Sequence, residues 1–133
     1  MPFVIDASIT ASRLLSDELH PTALAAFTRF VDDTAIVPAV WWFEVRNMLL
    51  VNQRRGRIDE RQMAQALEMI EEIPVAIDRD PESRIVIELA ERHRLSVYDA
   101  AYVELALRHQ APLATLDGSM ARAAEAQRIP LIG

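Results

Sequence analysis

The feature that most constrains this chain is the alternation of short apolar runs with longer amphipathic stretches. The apolar runs predict strands at residues 3–5, 34–37, 75–77, 112–115 and 130–132. Helical stretches separate them, as in parallel sheets that are covered by helices on both faces. We therefore predict an α/β fold of three layers, with a mostly parallel sheet of about five strands flanked by helices.

The helix boundaries are predicted from capping residues and prolines. Helices are expected over 9–15, 21–31, 40–55, 60–73, 81–92, 97–108 and 119–127. Asp59 with Gln62 matches a capping box, and Asp80 followed by Pro81 matches a cap with proline at the first helical position. No repeat or linker interrupts the pattern, so residues 1–133 are predicted to form a single domain.

The composition excludes several classes of protein. The chain is 51% hydrophobic and 26% charged and contains no cysteine, which excludes a disulfide scaffold, a thiolate zinc site and a cysteine nucleophile. No apolar run approaches the roughly 18 residues of a membrane span, and the first residues lack the pattern of a signal peptide. We therefore expect no membrane association and a cytoplasmic location.

The charged residues are unusual because every cation is an arginine. The net charge is −6, with 14 Lys and Arg residues of which none is lysine. The absence of lysine excludes Schiff-base chemistry, a phosphate-binding loop and a phospho-receiver domain, which needs a lysine beside its phosphoacceptor. The densest basic segment is 54–57, with arginines at three of its four positions.

Three aspartates have both a structural and a functional interpretation. Asp6 and Asp117 follow predicted strands, at the edge where functional crevices of α/β sheets lie. Asp6 could cap the next helix, although Ser8 is the better cap by position. Asp117 with Gly118 is typical of a turn. Asp99 completes a capping box with the serine three residues before it, and for Asp99 alone that interpretation is favoured.

Glu44 is the acidic residue that argues most strongly for a site. It interrupts the apolar stretch 40–45 and shares a helical stripe with Asn47 and Arg54. A carboxylate beside an apolar face is partly desolvated, so it must be paired, protonated or bound to a metal, unless its side chain extends to solvent.

Four converging carboxylates would need a cation. At about 4 Å and an effective dielectric constant near 20, one pair repels by roughly 4 kcal/mol. The three histidines lie near helix ends or before a proline, which favours capping or solvated roles. A set of oxygen ligands favours Mg²⁺ or Mn²⁺, and the chemistry implied is metal-assisted phosphoryl transfer.

Four blocks of sequence resemble the PIN-domain ribonucleases, and among them the VapC toxins of bacterial toxin–antitoxin pairs. The blocks are residues 4–8, 44–47, 95–102 and 113–117, which read VIDAS, EVRN, LSVYDAAY and LATLD. The resemblance implies a PIN-like fold and a Mg²⁺- or Mn²⁺-dependent endoribonuclease. Position by position, it implies a catalytic and metal-binding quartet of Asp6, Glu44, Asp99 and Asp117, with Asp6 and Asp99 as direct ligands. It also implies supporting roles for Ser8, Asn47 and Thr115.

The resemblance further implies partners. They are a cognate VapB-type antitoxin, an RNA substrate and a second copy of the chain. The aromatic segment 41–43 also favours a dimer, because it offers more apolar area than one helix face buries, but the same residues are equally compatible with a place in the core. In a chain without lysine, RNA contacts must come from arginines, and the candidates are Arg46, Arg54, Arg55 and Arg57. Gly118 and Ser119 depart from the family pattern, where a charged residue often follows Asp117.

Two other functions remain open from the sequence. A PIN fold can serve as a catalytically inert binding module, but an inert pocket has no reason to keep four carboxylates. A metal-dependent nuclease acting on DNA would have the same metal site.

Overall fold

The computed structural model describes residues 1–15 and 20–133. Its centre is a parallel sheet with the strand order β3-β2-β1-β4. The strands are β1 (Pro2–Ile5), β2 (Thr34–Pro38), β3 (Val75–Asp78) and β4 (Leu113–Ala114). The α/β prediction is confirmed, and the sheet within the described residues has four strands.

The predicted fifth strand, at residues 130–132, is present only as an isolated bridge. Leu131 pairs with Leu113 in parallel beside β4, and Ile132 donates its backbone N–H to the Leu113 carbonyl at 2.9 Å. The segment is short and includes Pro130, which has no N–H to donate to a ladder. The prediction of about five strands therefore counted one too many.

The helices follow the sequence prediction closely. They are α1 (Ala7–Leu15), α2 (Pro21–Thr28), α3 (Val40–Arg54), α4 (Glu60–Glu72), α5 (Ser83–His93), α6 (Val97–His109) and α7 (Gly118–Ala126), with a 3₁₀ turn at Arg29–Val31. The capping box at the start of α4 is present as predicted. The Asp59 side chain accepts from the backbone N–H of Gln62, and the Gln62 side chain accepts from the backbone N–H of Asp59.

Two predicted helix starts are displaced by two residues: α1 begins at Ala7 rather than at Ile9, and α5 begins at Ser83 rather than at Pro81. Asp80 and Pro81 precede α5, whose N-cap residue is Glu82. The backbone N–H of Asp80 donates to Asp78 Oδ1 at 3.0 Å, while that of Glu82 donates to Glu104 Oε2 at 3.3 Å. These bonds hold the chain in a turn at the end of β3 and delay the helix.

Both faces of the sheet are covered. Phe3, Val4 and Ile5 are each 0% exposed, although successive side chains of a strand point to opposite faces. The helices pack in two groups, α1 to α4 and α5 to α7, and α6 packs along β1, β2 and β4. This arrangement confirms the three-layer prediction and leaves the carboxyl edge of the sheet open between α3, α6 and α7.

In the described part of the chain, no helix combines the length and the apolar character needed to cross a membrane.

Candidate active site at the carboxyl edge of the sheet

The structure brings the four predicted carboxylates together around one cavity of about 140 Å³. Asp6 directly follows β1, Glu44 lies in the second turn of α3, Asp99 lies in the first turn of α6, and Asp117 caps α7. Four segments distant in sequence therefore meet at the edge where the parallel strands end, as the sequence predicted.

Asp6 is the anchor of this cavity. It is 3% exposed. Its Oδ1 accepts from the backbone N–H of Ile9 at 3.0 Å and from the Ser8 hydroxyl at 2.6 Å. Asp6 is thus the residue that caps α1, and the prediction that Ser8 is the better cap is wrong. Ser8 donates to the capping carboxylate instead.

Two hydroxyl groups join Asp6 to the loop that carries Asp117. Thr115 donates to Asp6 Oδ2 and accepts from the backbone N–H of Asp117 at 2.9 Å. Ser8, which donates to Oδ1, accepts from the backbone N–H of Leu116 at 3.0 Å. Each backbone N–H occupies a hydroxyl lone pair and so directs the hydroxyl proton towards Asp6. Ser8 and Thr115, the predicted supporting residues, therefore both contact Asp6.

Glu44 has a partner that sequence reasoning missed. The hydroxyl of Tyr102 donates to Glu44 Oε1 at 2.7 Å, and Tyr102 is 1% exposed. Burial raises the pKa of Tyr102 far above its usual value, so the phenol stays protonated and remains a donor. The available signal was spacing, because Tyr102 lies three residues after Asp99 and therefore on the same side of α6.

Asp117 caps a helix and lines the site, whereas Asp99 lines the site from a helical turn that Ser96 caps. The Ser96 hydroxyl accepts from the backbone N–H of Asp99 at 3.0 Å, which caps α6. Asp117 Oδ1 accepts from the backbone N–H of Met120 at 2.9 Å, which caps α7. The turn predicted for Asp117 with Gly118 is therefore the start of a helix, and both side chains still line the acidic cavity.

The cavity disfavours negative charge on three of the four carboxylates. Burial raises the pKa of Asp6 above its usual value, against the hydrogen bonds from Ser8, Thr115 and Ile9. Burial also raises the pKa of Glu44, helped by the charges of Asp99 and Asp6. The pKa of Asp99 is raised by burial and by the charge of Asp117. The site thus contains more negative charge than its own residues compensate.

The chemistry of the donor set fits a hard divalent cation. All four side chains offer carboxylate oxygens, the ligands that Mg²⁺ and Mn²⁺ prefer. As the side chains are oriented here, no group of three or more His, Asp or Glu residues within 1–15 and 20–133 is arranged to hold a metal ion. Oxygens of Asp6, Glu44 and Asp117 are engaged in the hydrogen bonds described above.

The other predicted residues lie farther from the cavity. Asn47 is exposed and lines an adjoining hollow with Glu44. Arg46 Nη2 pairs with Glu71 Oε1 at 3.0 Å, and its guanidinium lies 3.8 Å from the centre of the Trp42 ring. The remaining predicted arginines, Arg54, Arg55 and Arg57, are exposed around the end of α3. Arg54 is ten residues beyond Glu44, about 15 Å along the helix.

The chain belongs to the PIN-domain family, whose model matches residues 3–126. The family assignment made from the four sequence blocks is confirmed.

Particular relatives support the likeness to VapC proteins. The chain is 32% identical over 124 residues to Ribonuclease VapC3 of Pyrobaculum aerophilum, a match that covers 91% of this chain and 93% of the relative. It shares its fold with VapC20 of Mycobacterium tuberculosis, described as a sarcin-ricin loop cleaving toxin, at a TM-score of 0.61 and 15% identity, covering 91% of this chain and 94% of that one. It also shares its fold with VapBC2 of Rickettsia felis, solved with a DNA fragment from their promoter, at a TM-score of 0.63 and 15% identity, covering 99% and 96%.

Proposed function

We propose that this protein is a metal-dependent endoribonuclease and the toxin of a VapBC-type toxin–antitoxin module. The observation that carries the proposal is the convergence of Asp6, Glu44, Asp99 and Asp117 on one cavity at the carboxyl edge of the sheet. The family membership and the similarity to Ribonuclease VapC3 support RNA as the substrate.

The carboxylates that line the cavity are the groups that would hold Mg²⁺ or Mn²⁺. The quartet supplies carboxylate oxygens, with Asp6 and Asp99 as the proposed direct ligands. When bound, the cation would lower the pKa of a water for attack on the phosphodiester and neutralise the developing charge. Burial is the main cause of the raised pKa values of Asp6, Glu44 and Asp99, and the repulsion that adds to it would be relieved by the same cation.

The residues around the quartet hold the carboxylates in place. Ser8 and Thr115 each donate to a different oxygen of Asp6, which fixes the plane of its carboxylate. Tyr102 occupies one oxygen of Glu44 and leaves the other for the cavity. Mutation of such hydrogen-bond partners of metal ligands typically lowers metal affinity or activity by about 10- to 100-fold.

The proposal also includes an antitoxin, an RNA substrate and a second copy of the chain as binding partners. A cognate VapB-type antitoxin would inhibit the toxin, which acts on RNA in the cytoplasm. A homodimer is supported by the side chain of Trp42, which is 43% exposed, whereas Trp41 is 2% exposed and belongs to the core. Arg54, Arg55 and Arg57 would reach only RNA that extends well beyond the cavity, and Arg46 would first have to release Glu71.

The test is cleavage of total cellular RNA by the purified protein, with Mg²⁺ or Mn²⁺ and with EDTA. We expect discrete fragments that require the metal and that are absent with Asp6→Asn. Cleavage that continues in EDTA, or that is equal in the variant, would contradict the proposal. A folded protein that cuts single-stranded DNA but no RNA would establish the nuclease and overturn the substrate.

A further inference from the structure

A second and larger cavity lies beside the acidic one, along the same edge of the sheet. It has a volume of about 420 Å³ and is lined by residues from the ends of β2 and β3 and from α6, among them Pro38, Arg79 and Tyr98. This volume falls in the range of roughly 300–1,000 Å³ that is usual for ligand sites. None of the four proposed catalytic carboxylates lines this cavity.

The two cavities are connected. A shallow hollow of about 400 Å³ between them is lined by Val40, Phe43 and Tyr98 together with Glu44. Glu44 is shared with the acidic cavity, and Val40 and Tyr98 are shared with the larger one. We call this continuous surface, from Glu44 past Phe43, Val40 and Tyr98 to Arg79, the edge groove.

The edge groove presents aromatic surface next to a proposed catalytic residue. Tyr98 directly precedes Asp99 in the chain, and its side chain is 60% exposed. Phe43 directly precedes Glu44 and is 67% exposed. The residues that place two carboxylates in the acidic cavity therefore also place two aromatic rings beside it.

The far end of the edge groove has a cation available for a ligand. Arg108, which lines the same cavity, pairs with Asp78 and with Glu104, each at 2.8 Å. Arg79, in contrast, is exposed and forms no salt bridge with a carboxylate in ranges 1–15 and 20–133. It follows the end of β3, two strands from the end of β1 where Asp6 lies, about 10 Å away by the usual strand spacing.

We propose that the edge groove binds single-stranded RNA next to the phosphate that is cut. A nucleobase flanking that phosphate stacks on Tyr98 against the apolar wall of the groove, and Arg79 binds a phosphate farther along the strand. This assignment of the bound strand rests on the proposed nuclease function.

The pattern of the groove favours a single strand over other occupants. An unpaired strand offers base faces for aromatic side chains and phosphates for cations, whereas a duplex hides the base faces in its stack. A second copy of this chain is the main competing occupant, and the oligomeric state tests it.

The first test measures cleavage of a single-stranded RNA oligonucleotide with one mapped cleavage site. We expect Tyr98→Ala to lower kcat/KM by about 5- to 100-fold, the usual effect of losing a base–aromatic stack. Tyr98→Phe, which keeps the ring, rescues most of this loss. We expect Arg79→Gln to raise KM. Its matched control is Arg92→Gln, which removes an exposed arginine at the end of α5 and should leave KM unchanged. Equal kcat/KM values for wild type and Tyr98→Ala would overturn the groove and leave the nuclease standing.

An abasic substrate tests the stacking directly. The base on either side of the mapped site is removed in turn, and each RNA is given to wild type and to Tyr98→Ala. If Tyr98 stacks on one of these bases, removing that base slows wild type but has little further effect on the variant. Independent, additive effects at both positions would contradict the stack.

Binding without cleavage separates this inference from the proposed function. Asp6→Asn protein in EDTA is titrated with a fluorescently labelled single-stranded RNA and with the matching duplex. We expect the single strand to bind more tightly, Tyr98→Ala to weaken it, and Arg79→Gln to reduce the salt dependence by about one counterion. Such binding, together with wild type that cleaves no RNA in the presence of Mg²⁺ or Mn²⁺, would support the groove and refute the nuclease. Equal binding by the Tyr98→Ala variant refutes the groove.

The oligomeric state tests the main competing occupant, a second copy of this chain. The mass of wild type and Tyr98→Ala in solution is measured by light scattering at the same concentrations. An unchanged mass, with RNA binding weakened, supports the proposal. A dimer that dissociates in the variant would assign the groove to an interface between copies and overturn it.

Discussion

At the scale of single residues, Asp6 performs two tasks that the sequence presents as alternatives. It caps α1 through the backbone N–H of Ile9 and also lines the acidic cavity. One carboxylate can do both because its two oxygens accept from different donors, with Ser8 and Ile9 on one and Thr115 on the other. A capping signature at the carboxyl end of a strand therefore does not argue against a site.

The charge of Asp6 should destabilise the metal-free fold at neutral pH. Its pKa in the folded protein is raised by burial. The folded state therefore binds this proton more tightly than the unfolded chain, and stability is lost as pH rises from the unfolded pKa, near 3.9, through the folded one. Asp6→Asn removes this loss, so at pH 7 in EDTA we expect a melting temperature equal to or several degrees above that of wild type.

The measurement is thermal unfolding of both proteins in EDTA, followed by circular dichroism from pH 4 to pH 8. The advantage of the variant should grow with pH. A variant that melts well below wild type at every pH would mean that the capping bonds of the charged carboxylate outweigh its burial.

At the scale of elements, the sequence predicts helices and strands well wherever a local signal sets their ends. The capping box at Asp59 and the cap at Ser96 depend on residues three positions apart, so both are readable from sequence. The start of α5 is not, because it depends on Glu104, 22 residues away in the chain. The reduction of the fifth strand to a bridge likewise depends on its pairing with β4.

Asp117 allows capping and site chemistry to be separated. Serine can cap α7 in its place but offers no carboxylate, whereas alanine does neither. We expect Asp117→Ser to lose RNA cleavage while keeping its stability, and Asp117→Ala to lose cleavage and about 1 kcal/mol of unfolding free energy. Urea unfolding in EDTA and a cleavage assay measure the two effects. Full activity in Asp117→Ser would remove Asp117 from the quartet.

An ion network links β3 to α6. Arg108 donates to Asp78 at 2.8 and 2.9 Å and to Glu104, which is 2% exposed. Arg108→Gln leaves Glu104 buried without its cation, so we expect a loss of about 3 kcal/mol of unfolding free energy. The matched control is Arg92→Gln, an exposed substitution expected to stay within about 0.5 kcal/mol.

The network also predicts an acid dependence. Arg108 lowers the pKa of Asp78 well below its usual value. The stabilisation is therefore complete above the unfolded pKa, near 3.9, and declines as pH falls towards the folded pKa. The difference between wild type and Arg108→Gln should shrink below about pH 4 in urea unfolding. A difference that stays constant from pH 7 to pH 3 would contradict this origin.

At the scale of the whole molecule, the acidic residues of the proposed site and the supporting hydroxyls of Ser8 and Thr115 were predicted, whereas Tyr102 was missed. Asp6 and Asp117 could be placed because strand ends meet at one edge of a parallel sheet. The hydrogen bond from Tyr102 to Glu44 spans 58 positions, and the bond from Thr115 to Asp6 spans 109. Such contacts exist only once α3, α6 and β4 pack around β1. The spacing of Tyr102 from Asp99 predicts a shared side of α6 but not the partner on α3.

The central claim is that four carboxylates from distant segments form one divalent-cation site. The most direct measurement is anomalous X-ray diffraction from crystals of the protein grown with Mn²⁺, beside crystals of Asp99→Asn. The account predicts a Mn²⁺ peak in the cavity between Asp6 and Asp99 in wild type, lost or strongly weakened in the variant. A cavity without Mn²⁺ in the wild-type crystals, or a peak that is equally strong without the Asp99 carboxylate, would contradict it.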